Sequence, residues 1–196
     1  MFVLMSVCLL FTMGGLRPDS TRHAKNAPMP VGWHDEFNDL GGWKPIGLEN
    51  AADVYAARPG AMTLRLPHVP EGFPWSFQWS GVTATASVDL GRYPIVVARI
   101  SRVQKGSYAH LDLEERDYSG HPVRTLRSST VVEPGLSVLD LGKEWGSYTR
   151  RIVLRLIVGG ALTGAQCEYA WVRFVRREDL PILMAHPDWQ NVVLRP

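Results

Sequence analysis

The chain is poor in cysteine, in net charge and in helical periodicity, and each shortage removes a class of protein. Only Cys8 and Cys167 occur among 196 residues. Cys8 lies inside an apolar N-terminal run, so removal of that run would leave Cys167 alone and exclude an intramolecular disulfide in the mature chain. Val7 in front of Cys8 is not the small residue that lipid acylation requires there. A lone Cys within an apolar strand is expected to act as a small buried hydrophobe. The net charge of +2 is too close to balance to argue for nucleic acid or an anionic membrane as partner. No stretch holds the 3.6-residue period for three turns, which argues against a helical architecture. No G-x-S-x-G, H-E-x-x-H or Gly-rich phosphate loop occurs, and there is no internal repeat.

Apolar residues make up 45% and charged residues 20%, the balance of an ordinary globular chain. The first residues, MFVLMSVCLLFTMGG, are apolar over less than the ~20 residues a membrane-spanning helix needs. They match the apolar region of a signal peptide, although no Lys or Arg precedes them. Residues 1–16 are therefore expected to be a leader and the protein to be exported, a retained membrane anchor being the alternative. Residues 17–32 are rich in Pro and polar side chains and read as a linker. Residues 33–176 are expected to form one domain and residues 177–196 a tail that wraps the domain or leads away from it.

Within the domain, short apolar runs alternate with Gly, Pro, Asp and Asn. In residues 61–66, Met62, Leu64 and Leu66 share one face. In residues 82–88, Val82, Ala84, Ala86 and Val88 do. Ala109, Leu111 and Leu113 oppose Tyr108, His110, Asp112 and Glu114. Ile152, Leu154, Leu156 and Val158 oppose Arg151, Val153, Arg155 and Ile157. Period-2 alternation with one polar face marks antiparallel strands covered on one side. About nine or ten strands at this spacing predict an all-β, two-sheet antiparallel sandwich.

Several segments carry a resemblance. HDEFNDLGGWKP (34–45) is similar to the first strand of bacterial carbohydrate-binding jelly rolls. RYPIVVARISRV (92–103), EPGLSVLDLGKEWG (133–146), RRIVLRLIVGG (150–160) and EYAWVRFV (168–175) resemble later segments of the galactose-binding-like superfamily. The resemblance spans about residues 33–175 and implies jelly-roll topology more strongly than any one ligand. It also implies a structural Ca²⁺, the one cofactor expected, at Asp35, Glu36 and Glu168, with Asn38 nearby. Ca²⁺ takes six to eight oxygens, but alternation puts Glu36 and Asn38 opposite Asp35, and Glu168 stands where the family places an Asp. Solvated edge charges are the alternative, and the one these residues favour.

Two further constellations suit a sugar. Phe73, Trp75, Phe77 and Trp79 occupy alternate positions, the pattern of a strand burying its aromatic face. If Pro70 and Pro74 hold that stretch as a loop, Trp75 and Trp79 become a stacking platform. Arg99, Tyr108, His110, Asp112, Glu114, Arg155 and Trp171 would assemble on one sheet face if their strands are neighbours, mixing donors and acceptors as sugar hydroxyls require. An ion-paired solvated face has the same pattern.

DEFND and LDLEERD are also similar to motifs of laminarinase-like glycosidases. Glycoside hydrolysis needs two carboxylates flanking one bond, about 5–5.5 Å apart for retention, and the position two before Asp112, where that family carries an acid, is His110. The expectation is a non-catalytic, exported module that binds polysaccharide or glycan. The alternatives are a structural or protein-interaction sandwich and, more remotely, a glycoside-active enzyme built on His110, Asp112 and Glu114.

Overall fold

The alternating segments 61–66, 82–88, 109–113 and 152–158 fall on strands whose apolar parity faces inward. The structure, a computed structural model, describes residues 29–39, 41–46, 55–66, 79–117, 119–146, 149–160, 164–185 and 194–195. These hold β1 (Met29–Asp35), β2 (Lys44–Ile46), β3 (Tyr55–Arg58), β4 (Ala61–Arg65), β5 (Trp79–Asp89) and β6 (Ile95–Val103). They continue with β7 (Ser107–Arg116), β8 (Pro122–Arg127), β9 (Gly135–Asp140), β10 (Thr149–Gly160), β11 (Gln166–Val175) and β12 (Leu194–Arg195). Two short α-helices, α1 (Gly142–Trp145) and α2 (Leu180–Ala185), and a 3-10 turn at Arg177–Asp179 complete the set.

The strands form an antiparallel two-sheet β-sandwich of jelly-roll kind. The five-stranded sheet has the order β2-β5-β10-β7-β8. In the seven-stranded sheet, β11 pairs with β6 along one edge, while β1 and β4 share its other edge end to end. β9 extends this sheet beyond β6, β3 beyond β4, and β12 adds a short parallel contact to β1. From β4 to β7 the chain changes sheet at every connection, as it does again from β8 to β11.

The inward parities meet in one core. Val82, Ala84, Ala86 and Val88 from β5, Ile152, Leu154, Leu156 and Val158 from β10, and Ala109, Leu111 and Leu113 from β7 are buried there against Met62, Leu64, Tyr169 and Phe174 of the other sheet. Each Val, Leu or Ile side chain so buried contributes ~1.5–3 kcal/mol. Cys167 belongs to this core, and burial, with the neighbouring Glu168, pushes its thiol pKa far up.

β11 carries a local exception to strict alternation. Its register against β6 shifts between Glu168 and Tyr169 and again between Tyr169 and Trp171. Cys167 and Tyr169 face the core before the irregularity, Val172 and Phe174 after it, and Trp171 is turned outward. There it joins Ile95, Val97, Val175 and Leu183 of α2 in a second apolar cluster on the outer side of the seven-stranded sheet. Part of the 177–196 stretch thus packs on the sandwich, and β1 begins at Met29, inside the stretch expected to be linker.

Candidate ligand-binding face

The outer surface of the five-stranded sheet is organised in rows across the strands. Register puts Thr83, Arg155, Asp112 and Arg127 in one row, from β5 through β10 and β7 to β8. The next row holds Gly81, Ile157 and His110, and the one beyond it Trp79, Gly159 and Tyr108. With Leu111 and Leu113 in the core, the residues between them must point to this face.

His110, Asp112 and Glu114 do point there, but they are only 5%, 4% and 3% exposed, whereas alternation alone predicts an open polar face. A buried carboxylate persists as an anion only when partnered, and both have partners. Arg127 donates from Nε to Asp112 Oδ1 at 2.9 Å and from Nη2 to Oδ2 at 3.0 Å. Glu114 takes Arg155 Nη2 on Oε1 at 2.6 Å and Arg116 Nη2 on Oε2 at 3.0 Å. Burial pushes the Asp112 carboxyl up, but the contacts from His110 and Arg127 outweigh it and hold its pKa below the ordinary value. His110 Nε2 stands 3.5 Å from Asp112 Oδ1, and among the described residues neither ring nitrogen of this buried imidazole has a closer partner.

Beside this polar ladder lies aromatic surface. The Tyr108 ring stacks on His110 with centroids 5.8 Å apart and planes 11° from parallel. It also lies across Gly159, where a Cβ would fall 2.1 Å from Tyr108 Cζ. Gly159 is needed here for close approach of a ring to backbone. On the far side of Gly159 stands Trp79, 39% exposed. Trp79 therefore does not follow the core-packing pattern read from the 73–79 alternation. Val82 and Ser80 face inward, so period 2 counted back from them puts Trp79 outside. Trp75, Phe73 and Phe77 lie outside the described residues.

The polar set predicted for one face is divided between the two sheets. Tyr108, His110, Asp112, Glu114 and Arg155 come together. Arg99 and Trp171 pair with each other across β6 and β11 on the outer side of the opposite sheet. β6 and β7 are neighbours in sequence, but their connection crosses the sandwich, so Arg99 is carried away from His110. Trp171 is 3% exposed, with the Arg173 guanidinium 4.1 Å over its ring.

The three predicted metal ligands are likewise not brought together. Asp35 Oδ1 accepts from the Phe37 backbone N–H at 2.7 Å and Oδ2 from Trp43 Nε1 at 2.8 Å. Glu36 accepts from Arg173 Nη2 at 2.7 Å, and Ser101 Oγ donates to Glu168 at 2.7 Å. Asp35 pairs with Val172, four residues along β11 from Glu168, or ~13 Å at strand rise. Each acid stabilises a different local structure, and among the described residues no group of three or more His, Cys, Asp or Glu is placed to hold a metal.

Arg116, Arg127 and Gly159 are site residues that the sequence reading missed. Arg127 had a legible signal: Asp117 begins a tight turn, its Oδ1 accepting from the Ser119 and His121 backbone N–H groups. A hairpin closed there sets Arg127 opposite Asp112.

No protein-family model matches the chain, and no curated protein matches it by sequence. Solved structures are similar at low identity. Xylanase 10C of Cellvibrio japonicus, in complex with xylopentaose, is 12% identical with a TM-score of 0.44 over 74% of this chain, which spans 28% of that enzyme. A laminarinase from Flavobacterium sp. UMI-01 is 12% identical with a TM-score of 0.46, over 74% of this chain and 100% of that one. TmCBM61, in complex with β-1,4-galactotriose, is 15% identical with a TM-score of 0.41, over 71% of this chain and 92% of that one.

Proposed function

We propose that this protein is a non-catalytic, exported module that binds polysaccharide or glycan on the outer face of its five-stranded sheet. The observation that carries the reading is the row Trp79–Gly159–Tyr108: an exposed indole and a phenol ring separated only by a glycine. The faces of sugar rings stack on such surfaces, while nearby polar groups orient their hydroxyls. Arg155 and Arg127 supply those groups two rows away, and Arg116, bonded to Glu114, follows further along β7. The non-catalytic part is supported by the condition of the two carboxylates. Asp112 and Glu114 are both buried and held by guanidinium groups, which favours fixed anions over groups that exchange protons with a substrate. The galactose-binding-like superfamily is our finer assignment, its resembling segments falling on β6, β9, β10 and β11 and on the connection from the end of β1 into β2.

Retention of the protein on a panel of insoluble and soluble polysaccharides tests the reading. Binding that W79A and Y108A each weaken supports it. No retention on any of them would favour the structural or protein-interaction role, to which the ion pairing of both central carboxylates also lends itself.

A further inference from the structure

We infer that the ligand of this face is an acidic polysaccharide, one whose sugars carry carboxylate or sulfate groups; this rests on the glycan-binding reading above. The argument is an inventory of donors and acceptors. All four carboxylate oxygens of Asp112 and Glu114 are engaged by Arg127, Arg155 and Arg116. The acids form the floor, their side chains 6% and 4% exposed, while the Arg127 and Arg116 side chains are 63% and 40% exposed. Guanidinium groups have five N–H donors and no acceptor, so what this ladder turns towards a ligand is chiefly donors.

Charge points the same way. Lys44 and Arg151 lie on the same face, opposite Thr83 and Ser87. With Arg116, Arg127 and Arg155 they make five cations. Against them stand Asp112, Glu114 and, at the far end of β5, Asp89. A neutral glycan needs acceptors as often as donors, because every hydroxyl is both. A carboxylate or sulfate only accepts, and Arg is the side chain best shaped to donate to it in pairs. The aromatic row beside the ladder separates such a ligand from a simple polyanion, since it contributes only if a ring lies over Trp79.

The test is affinity electrophoresis of the full chain through gels containing polygalacturonate, its fully methyl-esterified form, dextran sulfate, neutral galactan or poly-L-glutamate. Retardation by polygalacturonate or dextran sulfate, with the ester and galactan at least tenfold weaker, is the expected result, and the stronger of the two identifies the anion. Weakening with added salt is expected as well. R127Q should weaken retardation about tenfold, the loss of a charge-assisted pair. K44Q, which breaks no ion pair of the ladder, should weaken it more modestly and guards against misfolding of R127Q. Equal binding of the ester and the acid would overturn the charge assignment while leaving the glycan reading in place. Equal binding of poly-L-glutamate would also overturn it, and silence towards every glycan would remove both.

Discussion

The phenol oxygen of Tyr169, on the seven-stranded sheet, stands 2.9 Å from the backbone carbonyl of His110 on the other sheet. It is also 2.8 Å from the Ile157 carbonyl, and Ile157 is the cross-strand partner of His110. A fully buried hydroxyl thus crosses the core and reaches the strand pair that carries the centre of the candidate face. Burial and surrounding groups push its phenol pKa well above the ordinary value, so it remains a neutral donor.

Tyr169→Phe keeps the ring and leaves two buried carbonyls without that donor. The expected cost is about 1–3 kcal/mol in urea unfolding, with ligand affinity falling as β7 and β10 loosen. An unchanged unfolding midpoint would mean that the contact stabilises nothing.

Gly159→Ala puts a methyl group where the Tyr108 ring lies. Since the obstructing atoms are side-chain atoms, the ring must swing away. Overpacking of this kind costs about 1–3 kcal/mol. Glycan affinity should fall to the level of Y108A, and G159A combined with Y108A should bind no worse than either alone. Additive losses would separate Gly159 from Tyr108.

Asp112 sets an acid limit on stability. Its folded pKa is depressed, so the ionised form contributes stability that is present above the unfolded value, about 3.9, and lost as pH falls through the lower folded value. Asp112→Asn is expected to lower stability by about 1–2 kcal/mol at pH 7, with the gap to the unmodified protein closing below about pH 4. A gap that stays constant from neutral pH to pH 2 would contradict this.

Asp35 acts as a local staple. It holds Phe37, a buried non-glycine residue at φ 56°, and it orients Trp43, which meets Phe37 edge-on at 5.7 Å. Asp35→Ala should cost about 1–3 kcal/mol. Millimolar Ca²⁺ or EDTA should move Tm by no more than about 1 °C. Stabilisation by several degrees with Ca²⁺ would assign a metal to these carboxylates after all.

Much of this molecule is written in its local pattern. The inward set from Val82 to Val88, from Ala109 to Leu113 and from Ile152 to Val158 follows from period 2, because each residue's side is decided by its immediate neighbours. The same rule, counted from Val82, would have put Trp79 outside. The lack of helical period and the solitary Cys167 in the core belong to the same legible part, and with them the fold class. Sheet membership does not, since it depends on crossovers between strands far apart in the chain. Those crossovers sent Arg99 and Trp171 to one outer surface and His110, Asp112 and Arg155 to the other. Nor does alternation foresee the β11 irregularity that turns Trp171 outward, or the three arginines that close on Asp112 and Glu114. Pattern states which way a side chain points. What stands above it, and therefore whether a carboxylate there is solvated, paired or offered to a ligand, is decided only when distant strands come to lie side by side.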